Sequence, residues 1–261
     1  MDLAFLGGLI FALAVLVLGV FAAGVSWGAL IDVASVFITF GGSIATVIMQ
    51  NPLSLTLKVP TIFKQAFFEP KIDVKSKILQ IVSFAEKARR DGLLALEDDM
   101  DRLDDPFLKK ALQLVVDGTD AEIVRNVMQI EIDSLEQRHA ANRNWFDTLG
   151  TMAPAFGMLG TLIGLVGMLS NLGGDIASIG RGMAAALITT LYGSFLANVF
   201  AIPTREKLRG RTNTELTVRQ ILLEGVLSIQ AGDNPRIVLE KLVSYLSPEE
   251  RKQVQKAERE S

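Results

Sequence analysis

Gly157, Gly160, Gly164 and Gly167 follow one another at spacings of three, four and three. At 3.6 residues per turn they share one face of a helix and leave it nearly flat. A matching pattern comes later in Ala186, Thr190, Gly193 and Ala197, with Thr189, Ser194 and Asn198 close by. Small residues let two backbones approach closely in lipid, and hydroxyls can bond across the contact. Two uses are open to such faces: packing the two helices against each other, or forming a pocket for a helix from outside this chain. Thr161, Thr189, Thr190, Tyr192 and Asn198 favour the pocket, because an ion pathway needs oxygen ligands.

What these stretches lack narrows the chemistry. Coupling ion flow to work requires an ionisable group inside the membrane. None of the apolar stretches holds a carboxylate, Lys, Arg or His at mid-depth, since Asp32, Asp147 and Asp175 sit at or beyond their ends. A titrating carboxylate has then to come from another polypeptide. There is no cysteine, and the single histidine, His139, lies in a charged helical stretch as a solvated residue with no second histidine to share a metal. No nucleophile, metal set or phosphate-binding glycine loop is present, so the chain reads as a non-enzyme without a metal or cofactor. A net charge of -3 offers no basic excess for nucleic acid.

The elements that position these residues are membrane spans. Four stretches carry no charged residue: 3–31, 33–57, 148–174 and 182–204. A helix needs about twenty apolar residues to cross the hydrocarbon core, which places spans at 3–25, 33–50, 148–170 and 182–203. A cleaved signal peptide would carry a basic start and a shorter apolar core, whereas the only early charge is Asp2 and the apolar run extends to Val25. The first span is therefore expected to be retained. Trp27 in the first link fits an interfacial aromatic belt.

Positive charge sets the expected orientation. Lys and Arg number 14 between 51 and 147 and 11 between 203 and 261, with Arg181 alone elsewhere. Loops rich in Lys and Arg stay in the cytoplasm, so the segments 51–147 and 204–261 and both termini are expected there.

Within the charged segments the periodicity is helical. Residues 58–70 read as amphipathic at the inner membrane face. Val74, Ile78, Ile81, Val82 and Ala85 repeat at helical spacing up to a stop at Gly92. A short helix over 93–103 and another from Phe107 to Asp117 follow. Thr119 to Glu122 has the spacing of a capping box, opening a helix that nothing interrupts before Gly150. The tail carries helices over 205–230, after Asp233-Asn234-Pro235, and after Ser247-Pro-Glu-Glu250. With no strand-like alternation anywhere, the fold class is all-α: a four-pass transmembrane helical protein with a cytoplasmic helical domain between spans 2 and 3 and a helical tail.

The runs APAFGMLGTLIGLVGMLSNL at 153–172 and MAAALITTLYGSFLANVFAIPTREKL at 183–208 resemble the MotA/PomA family of flagellar stator A-subunits. The similarity continues in ARRDGLLALED at 88–98, LIDVASVFITFGGS at 30–43 and GDNPRIVLEKL at 232–242, and so covers essentially the whole chain. It implies a bacterial inner-membrane pentamer around two B-subunit (MotB/PomB-type) helices, each with one ion-carrying aspartate. Ion passage would turn the ring against the rotor protein FliG.

The resemblance also implies roles for residues. Arg89 and Glu97 match the family's charged pair that engages the rotor, and Arg90 adjoins them; on physics alone all three are ordinary surface charges. Pro154 and Pro203 match two prolines at the cytoplasmic ends of the third and fourth spans, where a lost backbone donor makes a hinge; simple helix termination is the other reading. The face formed by Gly157, Gly160, Gly164, Gly167, Ala186, Gly193 and Ala197 would receive the B-subunit helix. Thr161 and the Thr189-Thr190-Leu-Tyr-Gly pattern with Tyr192 resemble the sodium-driven members, and Asp32 matches an acidic residue of that subgroup. Sodium is thus the expected ion, with a proton as the alternative. An energy-transducing subunit of the ExbB/TolQ type and a non-conducting membrane scaffold are the other readings; four spans and the Arg89 to Glu97 segment count against the former.

Overall fold

Four helices are long and apolar enough to cross a membrane: Leu3–Ala22, Trp27–Gln50, Ala121–Ser170 and Ile176–Gln230. Each overlaps one of the charge-free stretches. The first ends at Ala22 rather than Val25, because Gly24 turns the chain with φ at 67°. The computed structural model describes residues 2–68, 73–173 and 176–260. Pro70, expected to close the amphipathic segment, and Asp175 of the second outer link lie outside the described residues. Among the described residues every regular element is helical.

Two of the spans are locally widened. Phe37–Gly41 and Leu196–Ala201 each form a π turn within their helix. The second of these precedes Pro203, whose ring crowds the carbonyl four residues back and which has no N–H to donate. A wider turn relieves that crowding. The helix then runs on from Ile202 to Gln230, so Pro203 does not end it. Pro154 likewise lies inside the fifty-residue helix Ala121–Ser170.

The chain divides into two compact units, the first made of Met1–Glu69 and His139–Gly210. Below its spans sits an aromatic core: Phe146, fully buried, with Phe63 and Phe200 beside it and Phe67 edge-on to Phe63 at 5.0 Å. The helix Val59–Phe67 supplies this core with Ile62 and Ala66. The first span buries none of its residues and is held by its start. Asp2 caps it by accepting from the Phe5 N–H at 3.0 Å, donates its own N–H to the Phe67 carbonyl, and pairs its carboxylate with Lys207. A charge as buried as Asp2 is tolerable because it is paired and hydrogen-bonded on several sides.

The second unit is Pro70–Arg138 with Arg211–Ser261. The middle segment and the tail share one core, in which Ile78, Ile81, Leu108, Leu112, Met128, Ile221, Leu222 and Leu242 are essentially inaccessible. Burying each such side chain is worth roughly 1.5–3 kcal/mol. Gly225 makes close seating possible: a Cβ there would lie 2.5 Å from Ile81 Cγ2. Local caps follow the sequence. Asp73, Asp105 and Asn234 accept from the N–H groups of Ser76, Phe107 and Arg236, and Ser247 with Glu250 forms a reciprocal capping box. At Thr119 the expected box does not form. Asp120 caps the helix by accepting from Glu122 at 2.8 Å, while the Thr119 carbonyl takes the amide of Gln230.

Asp233 pairs with Lys241 at 2.7 Å, and this hydrogen bond holds the Asp233 carboxyl below the usual carboxylate range. The contribution of that pair is present at neutral pH and is lost as pH falls through the lowered value.

Candidate ion-pathway and rotor-facing sites

The glycine stripe meets the chain's own fourth span. A Cβ on Gly157 would sit 3.0 Å from the Thr189 carbonyl oxygen, and one on Gly160 2.4 Å from Thr189 Cγ2. At Gly164 it would lie 2.8 Å from both the Ala186 nitrogen and the Gly182 oxygen. Gly193 returns the contact, its virtual Cβ falling 2.5 Å from the Ala153 oxygen beside Pro154. Ala186 and Ala197 are buried. Of the two uses open to these faces, packing inside the chain engages Gly157, Gly160, Gly164, Ala186, Gly193 and Ala197. Gly167, with nothing within 4 Å, is the member left open.

The hydroxyls separate by direction. Thr161 and Thr190 bring their Oγ1 atoms to 2.5 Å from each other on the outward side of the third and fourth spans. Thr161 also donates toward the carbonyls of Gly157 and Ala186, both at 3.0 Å, and Thr190 toward Ala186 at 3.4 Å. Thr189, one residue away, turns inward: it is 1% exposed and its hydroxyl donates to Ala186 at 2.9 Å. The Ala186 carbonyl is thus surrounded by three threonine hydroxyls. One of the Thr161 and Thr190 hydroxyls donates to the other and the remaining proton goes to a carbonyl, which leaves the pair with oxygen lone pairs to offer as neutral ligands for a hard cation. Asn198 is exposed, with its amide on the Ser194 carbonyl.

Tyr192 and Asp32 are hydrogen-bonded at the start of the second span. The Tyr192 hydroxyl donates to the Leu30 carbonyl at 2.6 Å, and the Asp32 N–H approaches it at 3.4 Å. Asp32 caps the second span, its carboxylate accepting from the Ser35 N–H at 2.7 Å and the Ser35 hydroxyl at 2.5 Å. Neither side chain joins the Thr161–Thr190 pair. The sequence reading missed a polar stripe on the second span, Ser35, Thr39 and Ser43, each fully buried. Thr39 donates to the Thr189 carbonyl at 3.4 Å, and the Ser35 oxygen, whose proton is on Asp32, lies 3.3 Å from the Ala185 carbonyl. Their i, i+4, i+8 spacing was the available signal.

The charged segment lies on the second unit. Arg89 and Glu97 are exposed and form no ion pair among the described residues. Arg90 is bound bidentately to Asp91 at 2.9–3.1 Å, which holds the Asp91 carboxyl low and raises the Arg90 guanidinium. The expected short helix over 93–103 is a 3-10 turn, Leu93–Leu96, followed by one helical turn, Glu97–Met100. Gly92 makes the reversal with φ at 88° and ψ at 165°, and Lys87 pairs with Asp99 across it at 2.7 Å. That backbone region is open essentially to glycine alone. Gly92→Ala is expected to destabilise the segment by about 1–3 kcal/mol, read as a lower melting temperature of the purified chain; an unchanged melt would show the turn adapts without strain. No cluster of three or more metal-ligating side chains occurs among the described residues.

Comparison with known proteins places this geometry. Residues 99–221 match the family described as the MotA/TolQ/ExbB proton channel family. Motility protein A of Treponema phagedenis is 41% identical over 255 residues, spanning 98% of both chains. Chemotaxis protein PomA of Vibrio alginolyticus is 39% identical over 247 residues, covering 95% of this chain and 96% of the relative. The flagellar MotAB stator complex from Bacillus subtilis superposes with a TM-score of 0.86 at 37% identity, over 95% of this chain and 98% of that one. With both sequence and fold shared over nearly its full length, the chain belongs to the MotA/TolQ/ExbB family, among its flagellar stator A-subunits of the MotA/PomA type.

Proposed function

We propose that this A-subunit, as a pentamer around the helices of a MotB/PomB-type B-subunit, conducts sodium inward and turns the flow into torque on FliG. The observation that carries the reading is the outward Thr161–Thr190 pair on spans that contain no carboxylate. Two neutral oxygens can take over part of a cation's hydration but cannot hold it alone. The charge must arrive on a guest helix, and the open Gly167 with the outward threonines marks the edge where it would lie. In this reading Asp32 gathers cations at the outer mouth, the Lys- and Arg-rich segments and both termini are cytoplasmic, and Arg89 and Glu97 meet the rotor with Arg90 beside them. Pro154 and Pro203, inside continuous helices, are where the third and fourth spans would flex.

Thr190→Ala removes one of the two paired oxygens while leaving the glycine contacts intact. With one neutral ligand worth about 1 kcal/mol, the sodium concentration giving half-maximal swimming is expected to rise about fivefold. Motility titrated against sodium at fixed pH in cells carrying the B-subunit is the measurement. A curve superimposable on wild type, together with a response to pH, would favour the proton-driven reading.

A further inference from the structure

Where the second span ends at Gln50, the following turn and the segment entering the third span border an open cavity of about 590 Å³. Its size is within the range of small-ligand sites. Asn51 and Asn144 join beneath it, the Asn144 amide donating to the Asn51 side-chain oxygen at 3.4 Å. Four other polar side chains line it: Gln50, Ser54, Lys58 and Asn142. None of the four has a hydrogen bond or ion pair from its side chain among the described residues, and no carboxylate lines the cavity.

A lone cation beside three uncharged side chains that can each donate, with no acid in the lining, favours an anionic ligand. Its surroundings define which acceptor. Met49, Leu53 and Leu57, all exposed and apolar, flank the cavity at the end of a membrane span. They suit acyl chains, while the polar lining sits at headgroup level. We propose that this cavity binds the headgroup of an anionic phospholipid, with Lys58 beside the phosphate and Gln50, Ser54 and Asn142 donating to its oxygens. The inference depends on the span ending at Gln50, not on which ion the protein carries or on its rotor.

The test uses the full chain purified from membranes with the subunits it retains, titrated with phosphatidylglycerol or phosphatidylcholine and read by native mass spectrometry. Phosphatidylglycerol is expected to bind in preference. Lys58→Gln should weaken it about fivefold, the factor set by one basic residue at an anionic surface. Lys58→Arg should retain binding, and Asn142→Ala should lower it without touching any charge. Lys64→Gln, at an exposed lysine outside the cavity, should leave it unchanged. Equal binding of the two lipids, or an equal loss in Lys64→Gln, would overturn the proposal. So would displacement of the lipid by millimolar inorganic phosphate, which would make the cavity a soluble-anion site, or a cavity closed by a second copy of the chain and free of lipid.

Discussion

Gly164→Leu is expected to abolish motility and to leave little folded protein in the membrane. A Cβ at this position already falls 2.8 Å from two backbone atoms of the fourth span, the Ala186 nitrogen and the Gly182 oxygen. Backbone cannot rotate aside as a side chain can, so the helices must separate. Forcing even one methylene into a packed site costs about 1–3 kcal/mol, and leucine adds four carbons. Separation also opens the Thr161–Thr190 pair and the bond from Thr161 to Ala186. The matched control is Gly167→Leu, which meets nothing within 4 Å. Gly167→Leu should insert and fold normally, and lose the B-subunit in co-purification if a guest helix lies against that open end. If both variants assemble and swim normally, the close approach of the third and fourth spans is not what organises the protein.

The second large effect is at the charged surface. If the segment meets the rotor as proposed, Glu97→Lys is expected to leave the amount of protein in the membrane unchanged while weakening that contact about tenfold or more, seen as loss of torque on a tethered cell. Surface substitutions away from caps and networks shift stability by about 0.5 kcal/mol or less. Like charges brought together across an interface cost several kcal/mol. Glu97 is exposed, and Asp99 two residues on is already engaged by Lys87, so reversal at 97 changes the outward field without breaking the turn. Arg90→Ala should matter less than Arg89→Ala, because Arg90 shares its charge with Asp91 through a bidentate contact. Equal losses at 89 and 90, or full torque with Lys at 97, would remove this segment from the rotor contact.

These two sites depend on the fold in different ways. The Arg89 to Glu97 surface is held by local devices: the Gly92 reversal and the Lys87–Asp99 pair. The Thr161–Thr190 pair exists because two distant segments approach to backbone contact. Local devices leave marks in sequence, as the glycine stop at 92 did. Long-range approach leaves a weaker one: a flat face is visible, but not what lies on it.

Much of the protein was legible before any coordinates. Charge-free runs of the required length show how many times the chain crosses, because the cost of placing charge in hydrocarbon acts on each segment separately. Glycines at 157, 160, 164 and 167 disclose a common helix face by spacing alone, and Asp73, Asp105 and Asn234 announce helix starts. The tertiary arrangement settled the matters that involve two segments at once. It turned the glycine face onto the chain's own fourth span, pointed Thr190 out and its neighbour Thr189 in, gave Asp32 to a helix cap and Tyr192 to the Leu30 carbonyl, and joined the tail to the middle segment in one core. Successive residues on a helix point about 100° apart, so Thr189 is buried while Thr190 is exposed even though both hydroxyls reach the Ala186 carbonyl. Which of them meets a neighbour depends on where another helix passes, and that is a property of pairs of segments rather than of either one.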